Sequence, residues 1–445
     1  MSRARASVER LAGGRVDRRE LILLVAALAL GLALRGAYVL ATHDHTLAGD
    51  EPEYHLQGIR ATEGRWFWTD RPYGIEHAGM WKAPAYPAFV GAVYSVLGVS
   101  VAKLLLLQTL LLGPVVILLS WALARRLFDA RVAVAAAFTA ALYPHMWQWE
   151  GRLYAEALAL PLGLVLLLLV LERAPTPRRA VLVGAVMAAS LLVRPSSFFF
   201  FAGVAVAWWL AAGFRRGTLL LGLSVAVTVL LVAPWTARNE RVAGDLIPIS
   251  MQDSAAYGTF NDDAANDQRS PYAWRVRTRR EADLFNGPPI PDAEFRDELQ
   301  RRATDYVKDH PSSVPKAFFW NGLSRPWDIR RPAYAIDEVR FEGRNKAVSI
   351  AGIAGYYVLL VLALLALWRL RARRTLVLPV LAMALAASVV FTTIAATRYR
   401  LPLEPLIVVL ACWAGSHRPT AERSLERARI QRPMTGSQHA PAQDA

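Results

Sequence analysis

The sequence predicts an all-α, polytopic membrane protein with about ten transmembrane helices and one small extracytoplasmic soluble segment. Three observations lead there. First, 54% of the 445 residues are hydrophobic, and apolar runs approaching the ~20 residues needed to cross a bilayer recur along the chain. Second, the net charge of +15 is gathered in short arginine clusters between those runs: Arg15/Arg18/Arg19, Arg125/Arg126/Arg131, Arg178/Arg179, Arg215/Arg216 and Arg371/Arg373/Arg374. Basic residues flanking spans mark the cytoplasmic ends, so the charge records topology and argues against a nucleic-acid partner. Third, 20% of the residues are charged, too many for a bare bundle of spans, which calls for a soluble segment as well.

The elements follow in order. Residues 1–20 form a basic cytoplasmic N-terminus. Leu21–Leu40 is apolar apart from Arg35, and its length suits a retained span better than a cleaved signal. Further spans are expected at 102–124, 132–146, 154–171, 180–194, 197–213, 217–234, 348–370, 375–394 and 403–415. The stretch 84–97 is apolar but short. If it crossed, four of the five arginine clusters would move outside, so it is expected to lie along the outer membrane surface. Both termini are then inside. The chain divides into a transmembrane module 21–234 with a first extracytoplasmic loop 41–101, an extracytoplasmic soluble segment 235–347, and closing spans within 348–415. The soluble segment is rich in charge, Pro, Asn and Asp, with helix-like patterns near 292–308 and 311–322. Its modest apolar content predicts packing against the membrane part. Residues 416–445 are polar and expected to be a disordered cytoplasmic tail. The one cysteine, Cys412, allows no intrachain disulfide and is expected to pack as a small apolar residue. The chain shows no convincing internal repeat and no P-loop.

With that topology, ionisable groups converge on the outward face. The first loop carries Asp50, Glu51, Glu53, His55, Arg60, Glu76, His77 and Lys82; the second carries His145, Glu150, Arg152 and Glu156. Arg194, Arg238, Arg398 and Arg400 stand at helix exits. Each charge near membrane depth costs about 2.5–3.5 kcal/mol on insertion scales, so several at one face suggest a site. The set suits displacement at a carbon bearing a phosphate leaving group. A carboxylate takes the proton of an incoming hydroxyl or amine, and guanidinium and ammonium groups hold the departing phosphate. Phosphate leaves without a proton, so one base suffices and a glycosidase-type carboxylate pair is not required. The histidines lack ligand spacing for a metal. Trp81, Trp147, Trp149 and Trp235 read most simply as an interfacial belt. A transporter or flippase of lipid-linked or small anionic substrates is the alternative. It would place charges near membrane depth too, but predicts internal pseudo-symmetry and interrupted helices.

Several motifs resemble those of GT-C fold, family 39-type integral membrane glycosyltransferases, the group of aminoarabinose transferases and protein O-mannosyltransferases. Gly49-Asp50-Glu51-Pro52-Glu53-Tyr54 resembles the family's Asp-Glu-x-x-Tyr loop motif, and Trp81-Lys82-Ala83-Pro84-Ala85-Tyr86-Pro87 its Lys-Pro-Pro-Leu-Tyr stretch. Arg125-Arg126-Leu127-Phe128 resembles a cytoplasmic turn of the group, and Gly151-Arg152-Leu153-Tyr154-Ala155-Glu156 its second acidic loop. Leu192-Val193-Arg194-Pro195, Pro234-Trp235-Thr236-Ala237-Arg238-Asn239 and Arg398-Tyr399-Arg400-Leu401-Pro402 follow patterns common in it. The motifs fall in order across about residues 20–415. Two departures stand out: Ala83-Pro84-Ala85 replaces Pro-Pro-Leu, and the soluble segment lies between the seventh and eighth expected spans.

The resemblance implies an inverting transferase that moves a monosaccharide from a polyprenyl-phosphate donor to an acceptor glycan, lipid or protein. It implies Asp50 as the base, with Glu51 positioning it. Lys82 would contact the donor phosphate, joined by Arg238 and by Arg398 or Arg400, while Tyr54, Arg152, Glu156 and Arg194 would bind substrate. No cofactor is implied, with a divalent metal left open. Composition rich in Ala and Arg, together with the resemblance, implies a bacterial plasma membrane, with the site facing outward.

Overall fold

The computed structural model describes residues 3–171, 175–275 and 278–416. The tail expected to be disordered from 416 onward therefore lies outside the described residues but for Ser416. The fold is helical almost throughout; among the described residues the strands are Trp68–Thr69 and His77–Ala78, paired antiparallel in the first loop.

Each expected span coincides with a helix. Five are long and apolar enough to cross a membrane: Arg18–Thr42, Val101–Leu127, Pro195–Ala212 (a short 3₁₀ turn running into a helix), Phe214–Ala243 and Lys346–Arg369. The helices Ala130–Leu142, Glu156–Val170, Arg374–Val390 and Ala85–Leu97 are apolar but only 10–17 residues long. The chain is thus a membrane protein whose helices fall into long and short classes. One limit expected from sequence shifts. Phe214–Ala243 is a single helix with Pro234 inside it, so a boundary at 234 falls within a helix that carries its last turns beyond the apolar run.

Helix ends follow local chemistry. Asp17, Ser100, Asp129, Thr176 and Asn345 each accept a backbone N–H at the start of an apolar helix, satisfying donors that have no partner within the helix. Arg18–Thr42 packs on Val101–Leu127 and Ala130–Leu142, Phe214–Ala243 on Pro177–Val193, and Lys346–Arg369 on Glu404–Ser416. Polar side chains join such pairs: the Ser224 hydroxyl donates to the Ala180 carbonyl at 2.9 Å and Thr228 to that of Gly184 at 3.0 Å. In an apolar surrounding, such bonds and close small-residue contacts do what hydrophobic burial does in water. The largest core cluster runs between these helices and includes Trp121, Trp208 and Tyr356.

Three of the arginine clusters meet at one end. Arg125 pairs with Glu20 at 3.1 Å and donates to the Arg15 carbonyl, Arg126 donates to the Leu11 carbonyl, and Arg373 donates to that of Leu127. At the other end, Glu51–Thr62 and Ala85–Leu97 pack together, and a second core assembles from the 235–347 region. Ile247, Met251, Tyr257, Phe295 and Leu299 close it, with Met80 of the first loop buried among them. The Met251 N–H donates to the Met80 carbonyl at 3.0 Å. The outer segment and the first loop therefore share one core, which fixes the position of the neighbouring Lys82.

Candidate active site

The site begins with a turn. Gly49 sits at φ +63°, in the left-handed region that suits glycine, and a β carbon there would run into the Tyr154 hydroxyl. The chain then enters the Glu51–Thr62 helix with Pro52 in its first turn, where a missing N–H costs nothing. Asp50 stands at the N-cap without capping: its side chain accepts no bond from the helix start. Its carboxylate turns outward instead.

There it meets two cations. Asp50 Oδ1 lies 2.7 Å from Lys82 Nζ, and Oδ2 lies 2.8 Å from Arg398 Nη2. Burial pushes the Asp50 carboxyl up, but the charges of Lys82 and Arg398 outweigh it and hold the group well below the usual carboxylate range. Arg398 is the hub of the cluster. Besides Asp50 it lies 3.2 Å from Glu156 and 3.7 Å from Glu342, and its guanidinium sits over Tyr154, 4.7 Å from the ring centre.

Asp50, Lys82 and Arg398 open together onto a cavity of about 910 Å³. Its walls come from the first loop, from Met251–Gln252 and the 267–275 turn, from the Pro332–Phe341 helix, and from the 394–399 turn. The site is thus assembled at the seam where the outer segment meets the membrane helices, as binding sites commonly are.

The other expected site residues divide into two groups. Glu51, Tyr54, Arg152, Glu156 and Arg194 lie behind the cavity wall and hold it. Glu51 is wholly buried. It accepts from the backbone N–H of Ala48 at 3.0 Å and of Leu153 at 3.1 Å, from His45 at 2.9 Å and from Arg152 at 3.4 Å. It clamps the Asp50 turn to the second loop and has no room for a substrate proton. Glu156 is held by Arg194, whose guanidinium lies 4.1 Å from the Tyr399 ring centre. Tyr54 lies beneath Lys82, its ring centre 5.6 Å from Nζ.

Arg238 and Arg400 are not brought to the cavity. Arg238 donates to the Gly79 carbonyl at 2.7 Å and lies over Trp235, tying the outer end of its helix to the first loop. Arg400 is sealed between Glu404 at 2.7 Å and Asp328 at 2.9 Å, with its guanidinium on the face of Tyr356. Both point away from it for one reason: a helix-exit arginine can turn toward backbone carbonyls or buried carboxylates as readily as toward the cavity. Glu342 and Tyr154, to which the sequence assigned no role, also line the cavity, as does Glu53 of the first-loop ionisable set. Glu53 and Tyr154 lie inside quoted motifs; Glu342 carries no signal beyond a charged run. Arg35, the charge inside the first apolar run, bonds to Glu150 at 2.9 Å and to the Ala140 and Ala141 carbonyls, so it anchors the second loop. Among the described residues no group of three His, Cys, Asp or Glu side chains is arranged to hold a metal ion.

No protein-family profile and no curated protein matches the chain. Solved structures do. The chain is similar to the archaeal oligosaccharyltransferase AglB from Archaeoglobus fulgidus in complex with an inhibitory peptide and a dolichol-phosphate. The identity is 15% and the TM-score 0.52, over 96% of this chain and 53% of that one. The Archaeoglobus fulgidus oligosaccharyltransferase tethered with an acceptor peptide gives 16% identity and a TM-score of 0.53, over 96% and 52%. ArnT from Cupriavidus metallidurans bound to undecaprenyl phosphate gives 17% identity and a TM-score of 0.49, over 92% and 63%. The likeness to the oligosaccharyltransferase shows the fold, a GT-C membrane fold. The chain spans about half the length of those oligosaccharyltransferase neighbours.

Proposed function

We propose that this GT-C protein is an inverting glycosyltransferase that takes a monosaccharide from a polyprenyl-phosphate carrier at the extracytoplasmic face of a bacterial plasma membrane. The observation that carries the reading is Asp50 gripped by Lys82 and Arg398 at 2.7 and 2.8 Å on an open cavity. Across the connected cluster four cations, Lys82, Arg398, Arg194 and Arg344, stand against the three carboxylates Asp50, Glu156 and Glu342, which leaves a surplus of positive charge for a phosphate to meet.

The reaction uses that surplus. The acceptor oxygen attacks the anomeric carbon, forming one C–O bond, while the bond from that carbon to the phosphate oxygen breaks. The acceptor proton passes to Asp50. A phosphodiester carries one negative charge and the departing polyprenyl phosphate two, so Lys82 and Arg398 gain interaction energy as the bond breaks. Asp50 in the resting site is a weak base, because both cations stabilise its charge. A donor phosphate that takes over those cations releases Asp50 toward ordinary basicity, so the base is activated by the substrate. The oligosaccharyltransferase neighbour bound to dolichol-phosphate supports a lipid-phosphate ligand for this fold.

The test is a transfer assay with purified protein, radiolabelled polyprenyl-phosphate sugars and cell-envelope acceptors, run beside Asp50→Asn. Label reaching an acceptor only with the unmodified protein supports the reading. No transfer from any donor by folded, inserted protein overturns it and favours a transporter.

A further inference from the structure

We infer that the Pro332–Phe341 helix is a carbohydrate-recognition wall, on which Tyr334, Asp337 and Phe341 seat a glycan acceptor. The acceptor role rests on the transferase reading; the saccharide site itself stands on the geometry below.

Tyr334, Asp337, Glu338 and Phe341 all line the cavity. Their spacing of i, i+3, i+4 and i+7 puts them on one helical face. Ala335 and Val339, on the other face, are buried at 2% and 1% exposure, so the helix is anchored on one side and offered to the cavity on the other. Of the four, Glu338 is engaged, held by Arg325 at 2.6 Å and Arg330 at 2.8 Å. The remaining three are not. Neither the Tyr334 hydroxyl nor the Asp337 carboxylate has a side-chain partner among the described residues, and Phe341 is 81% exposed.

The wall is joined to the reacting end of the cavity. A β carbon on Gly49 would lie 3.3 Å from the Phe341 carbonyl, and one on Gly343, at φ +63°, would lie 2.9 Å from Ala48. The next residue after Phe341, Glu342, reaches Arg398. A ligand resting on Phe341 is therefore beside Asp50.

The chemistry fits a sugar. Aromatic faces pack against the C–H face of a pyranose, a carboxylate accepts from adjacent hydroxyls, and a phenol both donates and accepts. Among the described side chains that line the cavity from this helix, the unengaged charge is that of Asp337, which disfavours a phosphate-bearing lipid on this wall. A peptide that binds by adding a strand would want a free sheet edge, and the strands among the described residues are two residues each in the first loop.

The experiment uses the full chain in lipid nanodiscs. Saturation-transfer NMR is recorded with methyl α-mannoside, lactose and N,N′-diacetylchitobiose, and thermal shift with undecaprenyl phosphate, for the unmodified protein and for Tyr334→Ala/Asp337→Asn/Phe341→Ala. The expected result is saccharide signal from the unmodified protein that the triple variant loses, with the undecaprenyl-phosphate shift retained in both. In transfer assays the variant should raise acceptor KM about tenfold or more and leave donor KM within about twofold. Tyr334→Phe should recover most of the loss. Saccharide binding that is absent from the unmodified protein, or equal in the variant, overturns the wall. Wall-dependent saccharide binding by a protein that transfers no sugar would retain the wall and reject the transferase; transfer with unmoved acceptor KM would do the reverse.

Discussion

Asp50 with Lys82 and Arg398, and Arg400 with Glu404 and Asp328, are built from the same chemistry and differ in closure. Asp50 keeps 27% of its side chain exposed and faces two cations. Arg400 and its two carboxylates are exposed by 1% or less. The first cluster opens to the cavity and holds excess positive charge. The second is sealed, its charges matched once Arg330 and Arg325 are counted with Arg400 against Glu404, Asp328 and Glu338, and it joins the last membrane helix to the turn at Asp328. A buried charge with matched partners is architecture. A half-exposed carboxylate held by more positive charge than it can neutralise is poised for another anion.

Breaking the open cluster should be the largest effect on chemistry. Asp50→Asn removes the proposed base and is expected to lower kcat by about 10²–10⁴, with a fall in melting temperature, from the lost pairs with Lys82 and Arg398, far too small to account for it; steady-state transfer kinetics and a thermal melt on one preparation check both halves. Breaking the sealed cluster should do the opposite. Arg400→Ala leaves the buried Glu404 without its arginine, while Asp328 keeps Arg330 at 3.3 Å, and is expected to cost about 3–5 kcal/mol of stability. It would show as lost folded yield, with the folded remainder active. If Arg400→Ala were stable and inactive, the division between the two clusters would collapse.

Lys82→Ala sharpens the comparison by removing one of the two cations that hold Asp50. The loss expected in kcat/KM for donor is about 10²–10³, with acceptor KM little changed. pH provides a finer cut. The Asp50 carboxyl lies well below its ordinary value of 3.8 because Lys82 and Arg398 prevail over burial. A depressed folded value means that its contribution to stability is present above 3.8 and is lost as pH falls through the folded value. The acid limb of kcat/KM, which reports the free site, should therefore lie lower than the acid limb of kcat, which reports the site with phosphate on the cations. Coincident limbs would reject activation of the base by donor. The smallest effect is expected from Gly49→Ala, which forces a β carbon into left-handed backbone and against Tyr154; about 1–2 kcal/mol is expected from the backbone alone, read by thermal melt.

Much of this was legible in sequence, for definite reasons. Apolar runs and arginine clusters repeat at the scale of a membrane, so the helices at the expected spans, from Arg18–Thr42 to Glu404–Ser416, could be anticipated from composition along one dimension. Asp50 and Lys82 stood out because charged residues beside apolar runs are costly. Their partner Arg398 could be nominated but not separated from Arg400, two residues on. In the 3₁₀ turn Thr397–Leu403 the two side chains take different directions, one to the cavity and one to Glu404, and no spacing rule predicts which. Glu51 and Asp50 show the same division: adjacent in sequence, one is sealed against Ala48 and Leu153 while the other faces Lys82.

Sequence by itself determined the helical membrane class, the segregation of positive charge and the short list of ionisable candidates, because hydrophobic length and charge are properties of residues taken in order. Tertiary structure alone decided which candidates share a cavity, that Met80 and the outer segment make one core, and that a helix beginning at Pro332 turns one face toward Asp50. Those depend on contacts between residues more than 100 positions apart, such as Asp50 with Arg398, and a charge takes its role from the partners and exposure that such contacts leave it.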